Sequence, residues 1–189
     1  GPRSLGARSI LADSRSEQMQ KKLNLKIKFR ESFRPFAPSI LREELSNWFD
    51  LKVDSPYMLF VTNINSSKKI NYTKKQKKIF GVEKINLKRS SIPSVTHVDY
   101  SARVHTVTKK NNKYFYDLIS KFKEKTGCPI LVNTSFNVRG EPIVNTPTDA
   151  FNCFMGTELD YLVIGNYILD KSKQNQNLKK DYIKEFELD

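Results

Sequence analysis

The chain has little cysteine, histidine or tryptophan: two, two and one of these residues occur in 189. Cys128 and Cys153 lie in apolar surroundings without the spacing of a zinc motif, so we expect two buried thiols of a reducing compartment and no disulfide. Two histidines are too few for a histidine-rich metal site, and we predict no metal site. No apolar run approaches the roughly 18 to 20 residues of a membrane span, and the amino terminus lacks a signal-peptide pattern. These absences predict a soluble, cytoplasmic protein without a membrane partner.

Arginine is also scarce for so basic a chain. The net charge of +13 is carried by 24 lysines and only 9 arginines, and residues 68–89 alone contain nine basic residues and one acidic residue. Lysine is a strongly hydrated point charge, whereas the planar guanidinium group of arginine suits bidentate binding of phosphate. We therefore interpret residues 68–89 as a basic insertion. Binding of nucleic acid or another anionic partner by this segment is the less favoured alternative.

The spacing of apolar residues predicts an α/β fold. With 38% hydrophobic residues, the chain can bury a core, and we predict a single domain over residues 1–170 followed by a polar tail over 171–189. The clearest helix spans residues 113–126 and ends at Gly127, and Thr146-Pro147 begins another. Further helices are expected at 14–25 and 39–49, and strands at 57–61, in two pieces between 92 and 107, at 130–132 and at 160–169. Because the chain begins on Gly-Pro-Arg, we expect upstream sequence to be missing.

The most informative stretch is residues 128–144, where an apolar run ends abruptly in polar residues before Gly140 turns the chain. The residues after the buried strand include Asn133, Ser135, Asn137 and Arg139. Polar groups in this position face a ligand at the carboxyl end of a strand in many α/β sheets, and a guanidinium group suits an oxyanion such as phosphate or carbamate. The alternative is an ordinary exit from a strand, in which Asn and Ser side chains bond their own backbone.

Other candidate cations precede this stretch. Lys28, Arg30 and Arg34 alternate with apolar residues, which places several cations on one face of an extended or loop segment. Arg34 stands between two phenylalanines and two prolines, and such stiffness suits preorganised anion binding. Arg103 lies beside a junction at Asp99. The alternatives are a solvated strand edge for the first three cations and a surface ion pair for Arg103.

Taken in order, five blocks of the chain resemble the carboxy-terminal domain of the NodU/CmcH-type O-carbamoyltransferases. The blocks are residues 1–13, 23–38, 97–104, 129–144 and 160–166, and together they extend over about 170 residues. The chain departs from the usual pattern at Ser4, Ala7 and Tyr100. The departure at Tyr100 matters most, because the family usually has glycine after His97-Val98-Asp99.

The resemblance implies a YrdC-like twisted mixed sheet with flanking helices, which binds carbamoyl phosphate and ATP, with magnesium on the phosphates, and forms carbamoyl adenylate. A separate amino-terminal Kae1-like domain, absent here, would transfer the carbamoyl group to an acceptor hydroxyl with the help of an iron ion. Carried over by motif position, the binding residues are Arg3, Lys28, Arg34, Arg103, Asn137 and Arg139. Arg34, Arg103 and Arg139 among them are the predicted catalytic cations, and secondary candidates in or beside the same motifs are Arg8, Arg30, Asn133 and Ser135.

Two other classes of function stay open at this point. A YrdC-like sheet with a basic surface is compatible with an RNA-binding module or with the formation of a threonylcarbamoyl adenylate for tRNA. A structural or interaction domain with an inactive site is the other possibility. The set of arginines and Lys28 in the matching blocks favours an active carbamoyl-activating domain, and we do not expect a nucleic-acid partner.

Overall fold

The structure, a computed structural model that describes residues 4–179 and 181–186, contains a five-stranded mixed sheet. Its strands are β1 (Ser9–Asp13), β2 (Ala37–Leu41), β3 (Phe60–Asn63), β4 (Ser101–Val107) and β5 (Ile130–Ser135), in the order β1-β5-β2-β4-β3. Strand β2 runs parallel to β4 and antiparallel to β5, while β3 pairs antiparallel with β4. The predicted α/β class, with a mixed sheet and flanking helices, is confirmed.

The remaining elements are short, apart from two helices. The α-helices are α1 (Met19–Lys22), α2 (Leu45–Trp48), α3 (Lys113–Thr126) and α4 (Pro147–Gly156), and a π-helical turn covers Leu23–Ile27. Strands β6 (Tyr161–Ile164) and β7 (Tyr167–Asp170) form an antiparallel pair. Turns of 3₁₀ helix cover Arg42–Glu44, Ser66–Lys68, Gln76–Lys78, Gly81–Asn86, Pro93–Val95, Lys171–Lys173, Gln176–Leu178 and Tyr182–Lys184.

The chain divides into two units. The first consists of Gly1–Gln20 and Pro35–Thr134, and the second of Lys21–Arg34 and Ser135–Asp189. The first unit therefore contains the strands of the five-stranded sheet up to Thr134, together with α3. The second contains the π-helical turn, the loop that follows β5, α4 and the β6–β7 pair. The predicted single domain over 1–170 and polar tail over 171–189 stay predictions.

In the first unit, α3 covers the sheet. Its buried residues Phe115 and Ile119 pack with Leu41, Val107 and Leu131 from β2, β4 and β5. The helix begins at Asn112, whose side chain accepts the N–H of Phe115, and ends at Gly127 with φ of 73°. That left-handed conformation favours glycine, so the predicted helix end is confirmed.

In the second unit, α4 begins as the sequence predicted. The side chain of Thr146 accepts the N–H of Asp149, the carboxylate of Asp149 accepts the N–H of Thr146, and Pro147 occupies the first turn. These bonds satisfy N–H groups that have no partner within the helix. Ala150, Cys153, Phe154 and Met155 form the buried side of the helix.

Several predicted element boundaries were wrong. The helix expected over 39–49 is split: all five residues of Ala37–Leu41 are buried in a central strand, and α-helix is confined to Leu45–Trp48. A short apolar run that is buried on both faces lacks the periodicity that separates strand from helix.

The buried strand expected at 57–61 is instead the edge strand β3, with three of its four residues exposed. Only one strand, β4, lies between 92 and 107, because Pro93–Val95 forms a 3₁₀ turn. The strand expected at 160–169 is the β6–β7 pair.

The lysine-rich segment contains one buried cation. Arg89 is 2% exposed, and its guanidinium group donates to the backbone oxygens of Lys84, Ile85, Leu87 and Thr96. These bonds explain how a buried arginine is accommodated, since carbonyl oxygens replace its lost hydration. Arg89 therefore stabilises the folded backbone of the basic insertion and is not a solvated surface group.

Both cysteines are buried and free, as predicted. Along the part of the chain that the structure describes, none of the helices combines the length and the apolarity that spanning a bilayer requires.

Candidate anion-binding site

The first half of the site is a loop that follows the π-helical turn in the second unit. Asn24 is fully buried in that turn, and its Nδ2 donates to the backbone oxygens of Ser32 at 3.1 Å and Arg34 at 2.9 Å. Its Oδ1 accepts from Nε of Arg30 at 2.7 Å. One amide side chain thus fixes the course of the loop and the orientation of Arg30. Phe29 has φ of 49°, a left-handed conformation that turns the chain between Lys28 and Arg30.

Lys28 is the most enclosed cation of the site, with an exposed fraction of 3%. Its Nζ lies within hydrogen-bonding distance of four oxygens: the backbone oxygens of Ser135 (2.5 Å) and Asn137 (2.8 Å), Oγ of Ser135 (3.2 Å) and Oδ1 of Asn137 (2.7 Å). Burial, together with the nearby charge of Arg30, lowers the pKa of Lys28 to about 7. The surrounding oxygens favour the ammonium form, because they accept hydrogen bonds from its three N–H groups. Lys28 therefore joins two distant segments of the chain.

The second half of the site is the loop after β5. The side chain of Asn137 donates from Nδ2 to the backbone oxygen of Glu141 at 2.7 Å, and Oε2 of Glu141 accepts the N–H of Val138 at 2.7 Å. The N–H of Arg139 donates to the backbone oxygen of Lys28 at 3.1 Å. Gly140 has φ of 76°, which suits glycine. The backbone around Arg139 is thus held by bonds on both sides.

These two loops enclose a pocket of about 440 Å³. Four cations and one carboxylate are among its lining residues, which are Lys28, Arg30, Arg34, Ser135, Asn137, Val138, Arg139, Gly140, Glu141 and Pro142. Burial and the nearby charge of Arg34 together lower the pKa of Arg30 to about 10. Crowded like charges favour the entry of an anion, since the anion relieves their mutual repulsion.

Glu31 lies between two of the arginines. Its Oε2 is 2.8 Å from Nε of Arg34, and its Oε1 is 3.6 Å from Nη1 of Arg139. A hydrogen bond from its own backbone N–H lowers the pKa of Glu31, and the two guanidinium groups contribute to the shift. The Arg34 side chain is 45% exposed and the Arg139 side chain 23%, so solvent reaches both arginines. The carboxylate occupies the kind of position that a bound oxyanion would take.

The structure brings six of the ten predicted site residues together in this pocket: Lys28, Arg30, Arg34, Ser135, Asn137 and Arg139. Three of these six side chains bond mainly to one another. The side chains of Ser135 and Asn137 bond to Lys28 and to each other, with 2.7 Å between Oγ of Ser135 and Oδ1 of Asn137. Lys28, Ser135 and Asn137 therefore build the frame, while Arg30, Arg34 and Arg139 carry the charge on it.

Three of the other four predicted residues lie outside this pocket. The fourth, Arg3, lies outside the described residues. Arg8 is exposed in the first unit, and Arg103 lies on β4 of the same unit, opposite Val61 of β3. Asn133 is 2% exposed on β5, where its Nδ2 donates to Oγ of Ser39 at 2.9 Å. The roles of these residues in binding stay predictions.

Sequence reasoning missed three residues that shape the pocket: Asn24, Glu31 and Glu141. Asn24 and Glu31 stand inside a matching block, but neither has a local pattern that distinguishes it from a loop residue. The signal for Glu141 was its place directly after Gly140 at the end of the polar stretch. In each case the function of the side chain depends on partners that only the folded chain supplies.

The fold and this pocket define an α/β protein in which four cations, Lys28, Arg30, Arg34 and Arg139, line one pocket. In a comparison with known families, the model of the family described as "Carbamoyltransferase C-terminus" matches residues 1–171. The chain belongs to this family. The resemblance inferred from the sequence blocks is therefore confirmed.

Curated relatives support the same assignment. An uncharacterized protein of Synechocystis is 52% identical over 190 residues, covering 100% of this chain and 31% of the relative. The nodulation protein NolO of Bradyrhizobium diazoefficiens is 40% identical over 174 residues, covering 90% of this chain and 28% of the relative. The 3'-hydroxymethylcephem-O-carbamoyltransferase of Streptomyces clavuligerus is 32% identical over 166 residues, covering 88% and 27%. The chain thus spans less than a third of the length of these relatives.

Proposed function

We propose that this chain is the carbamoyl-activating part of an O-carbamoyltransferase, which uses carbamoyl phosphate and ATP to form carbamoyl adenylate. The observation that carries the proposal is the gathering of Lys28, Arg30, Arg34 and Arg139 around one pocket in the second unit. Membership of the carbamoyltransferase family and the activity named for the Streptomyces relative support the choice of the carbamoyl group.

The chemistry accounts for the cations. Hydrolysis of carbamoyl phosphate gives carbamate and phosphate, and an oxygen of carbamate then attacks the α-phosphorus of ATP. The new P–O bond forms as the bond to the β,γ-diphosphate breaks, so pyrophosphate leaves with the electron pair. Both reactants are anions, and fixed guanidinium groups lower their repulsion and hold them in line. The reaction requires no nucleophilic side chain.

The arginines and the frame have different roles in this proposal. Arg34 and Arg139 are the catalytic cations that contact the phosphates, and Arg30 is a further contact held in place by Asn24. Lys28 and Asn137 position the loop that presents Arg139. Arg3, Arg8, Arg103, Asn133 and Ser135 stay candidates for the rest of the binding surface.

No protein site for magnesium is assigned. Among the described residues, no group of three or more His, Cys, Asp or Glu side chains could hold a metal ion. In our proposal the arginines balance the charge in this part of the chain, and any magnesium enters on the phosphates of ATP. Transfer of the carbamoyl group to an acceptor hydroxyl, and the iron expected for it, belong to another part of the full-length protein.

The test is carbamoyl-phosphate-dependent release of pyrophosphate from ATP, an assay that needs no acceptor. Arg34→Ala and Arg139→Ala should each lower the rate on the order of 10²-fold, as loss of a preorganised donor does elsewhere. Arg42→Ala is the matched control, because Arg42 lies in the first unit and pairs with Asp54. Equal rates in the parent chain and all three variants would discredit the site.

A further inference from the structure

We propose that Tyr182 is a positioning residue for the anion pocket, acting through Glu141 on the backbone that carries Arg139. The proposal rests on the proposed function in one respect, since it takes the pocket to be the binding site. Tyr182 lies in the polar tail, eleven residues beyond the last position that the family model matches. Nothing in the pattern of the tail pointed to such a role.

The first observation is the burial of the tyrosine. Tyr182 is 4% exposed, although the residues around it in the tail are mostly polar. Its ring packs against the end of α4 at Gly156, where a Cβ atom would lie 2.4 Å from Cβ and Cγ of Tyr182. Glycine is therefore required there for the ring to sit in place. Phe186 adds an edge-on contact, with 5.2 Å between the ring centres.

The second observation is the bond that the buried hydroxyl group makes. The OH of Tyr182 donates to Oε1 of Glu141 at 2.5 Å, and burial together with this bond raises the pKa of the tyrosine. A hydroxyl group buried without a partner would cost free energy, so the carboxylate and the hydroxyl stabilise each other's burial. The exposed fraction of Glu141 is 8%.

The third observation is that the other carboxylate oxygen of Glu141 is used inside the pocket. Oε2 accepts the N–H of Val138 at 2.7 Å, and the next residue, Arg139, lines the pocket. The series Tyr182 OH, Glu141 carboxylate and Val138 N–H therefore leads from the tail to the cationic loop. If the hydroxyl group is removed, Glu141 loses one of the hydrogen bonds that orient its carboxylate, and the Val138–Arg139 backbone gains freedom.

The experiment compares the parent chain with Tyr182→Phe, which removes the hydroxyl group and keeps the ring. Tyr161→Phe is the matched control, because Tyr161 is 63% exposed in the same unit. The first measurement is amide hydrogen exchange at Val138 and, as an internal reference, in β4. The second is the Kd for inorganic pyrophosphate by calorimetry.

We expect exchange at Val138 to be roughly tenfold or more faster in Tyr182→Phe, with β4 unchanged, and the Kd for pyrophosphate to rise by about tenfold. Gly156→Ala, which displaces the ring, should change both quantities in the same direction. Unchanged exchange at Val138 in Tyr182→Phe would overturn the role of Tyr182. If the parent chain binds pyrophosphate, a Kd for Tyr182→Phe equal to that of Tyr161→Phe would overturn it as well.

The two proposals fail in different ways. If the parent chain does not bind pyrophosphate, the proposed function fails, and exchange at Val138 alone then decides whether Tyr182 holds the loop. If the parent chain binds pyrophosphate and Tyr182→Phe behaves like Tyr161→Phe in both measurements, the pocket stands and Tyr182 has no part in it.

Discussion

Nζ of Lys28 lies 2.7 Å from Oδ1 of Asn137 and 2.8 Å from its backbone oxygen, although the two residues are 109 positions apart. A single buried ammonium group thus connects the loop after the π-helical turn to the loop after β5. Because the bonds are made by a side chain that almost no solvent reaches, the geometry of the pocket depends on this one residue.

Lys28→Met should therefore weaken the second unit and its ligand binding together. Loss of the ammonium group leaves the oxygens of Ser135 and Asn137 buried without their donor, and we expect the free energy of unfolding to fall by about 2–3 kcal/mol. Urea titration measures this change. Lys26→Met is the control, since Lys26 makes an exposed ion pair with Glu158 and should cost less than about 1 kcal/mol. Similar losses in both variants would contradict the structural role of Lys28.

Glu31→Gln should strengthen anion binding. The carboxylate of Glu31 occupies the space between Arg34 and Arg139, so its neutralisation raises the positive potential available to a ligand. We expect the Kd for pyrophosphate to fall by roughly two- to fivefold at low salt, with the gain screened at high salt. Glu158→Gln, which removes an exposed carboxylate of the same unit, should leave the Kd unchanged. Weaker binding by Glu31→Gln would mean that the carboxylate orients the arginines more than it competes with the ligand.

His105 should make the first unit sensitive to acid. Its Nδ1 lies 2.7 Å from Oγ of Ser39, which also accepts from Asn133, and burial lowers the pKa of His105 to about 4. Between pH 6.5 and 4 the unfolded chain binds a proton that the folded chain does not, so the free energy of unfolding falls as pH falls, by about 3 kcal/mol over the window.

Denaturant titrations at several pH values measure this slope. His105→Gln should flatten it, whereas His97→Gln should keep the part due to His105, although burial lowers the pKa of His97 as well. An identical slope in His105→Gln and the parent chain would rule out His105 as its source.

Tyr100 should be a strained position. Its φ of 66° is a left-handed conformation, and its ring centre lies 6.0 Å from that of Tyr72. Tyr100→Gly and Tyr100→Ala both lose the ring, but only glycine adopts this conformation freely. We expect the glycine variant to be more stable than the alanine variant by about 1 kcal/mol, measured by thermal unfolding. An alanine variant of equal or higher stability would show that the turn relaxes at little cost.

The parts of the fold that followed from the sequence are those with local signals. Helix α3 has an apolar stripe, a capping asparagine and a terminal glycine, and α4 has Thr146 and Pro147 at its start. Strand β2 was mistaken for a helix because its pairing with β4 and β5, which buries both faces, lies far along the chain. A strand that is buried on both faces does not show the alternation of polar and apolar residues by which strands are predicted.

The residues of the pocket likewise divide into those with a signal in the sequence and those without one. The gathering of Arg30, Arg34 and Arg139 around one pocket was predictable, since all three stand in the matching sequence blocks. Their part in anion binding stays a prediction. Asn24 and Glu141 were not predictable, because each acts through hydrogen bonds to backbone groups that come together only on folding. Tyr182 is the extreme case: its burial depends on the space left by Gly156, 26 positions earlier.

The two cysteines give each half of the molecule its own reporter of opening. Cys128 belongs to the first unit and Cys153 to the second, and burial raises the pKa of both thiols. A thiol that is protonated and shielded reacts slowly with alkylating reagents, so each sulfur is labelled at the rate at which its surroundings open. Pulsed alkylation followed by mass spectrometry can therefore measure the rate of local opening around each cysteine. The measurement uses the unaltered chain and needs no dye or engineered label.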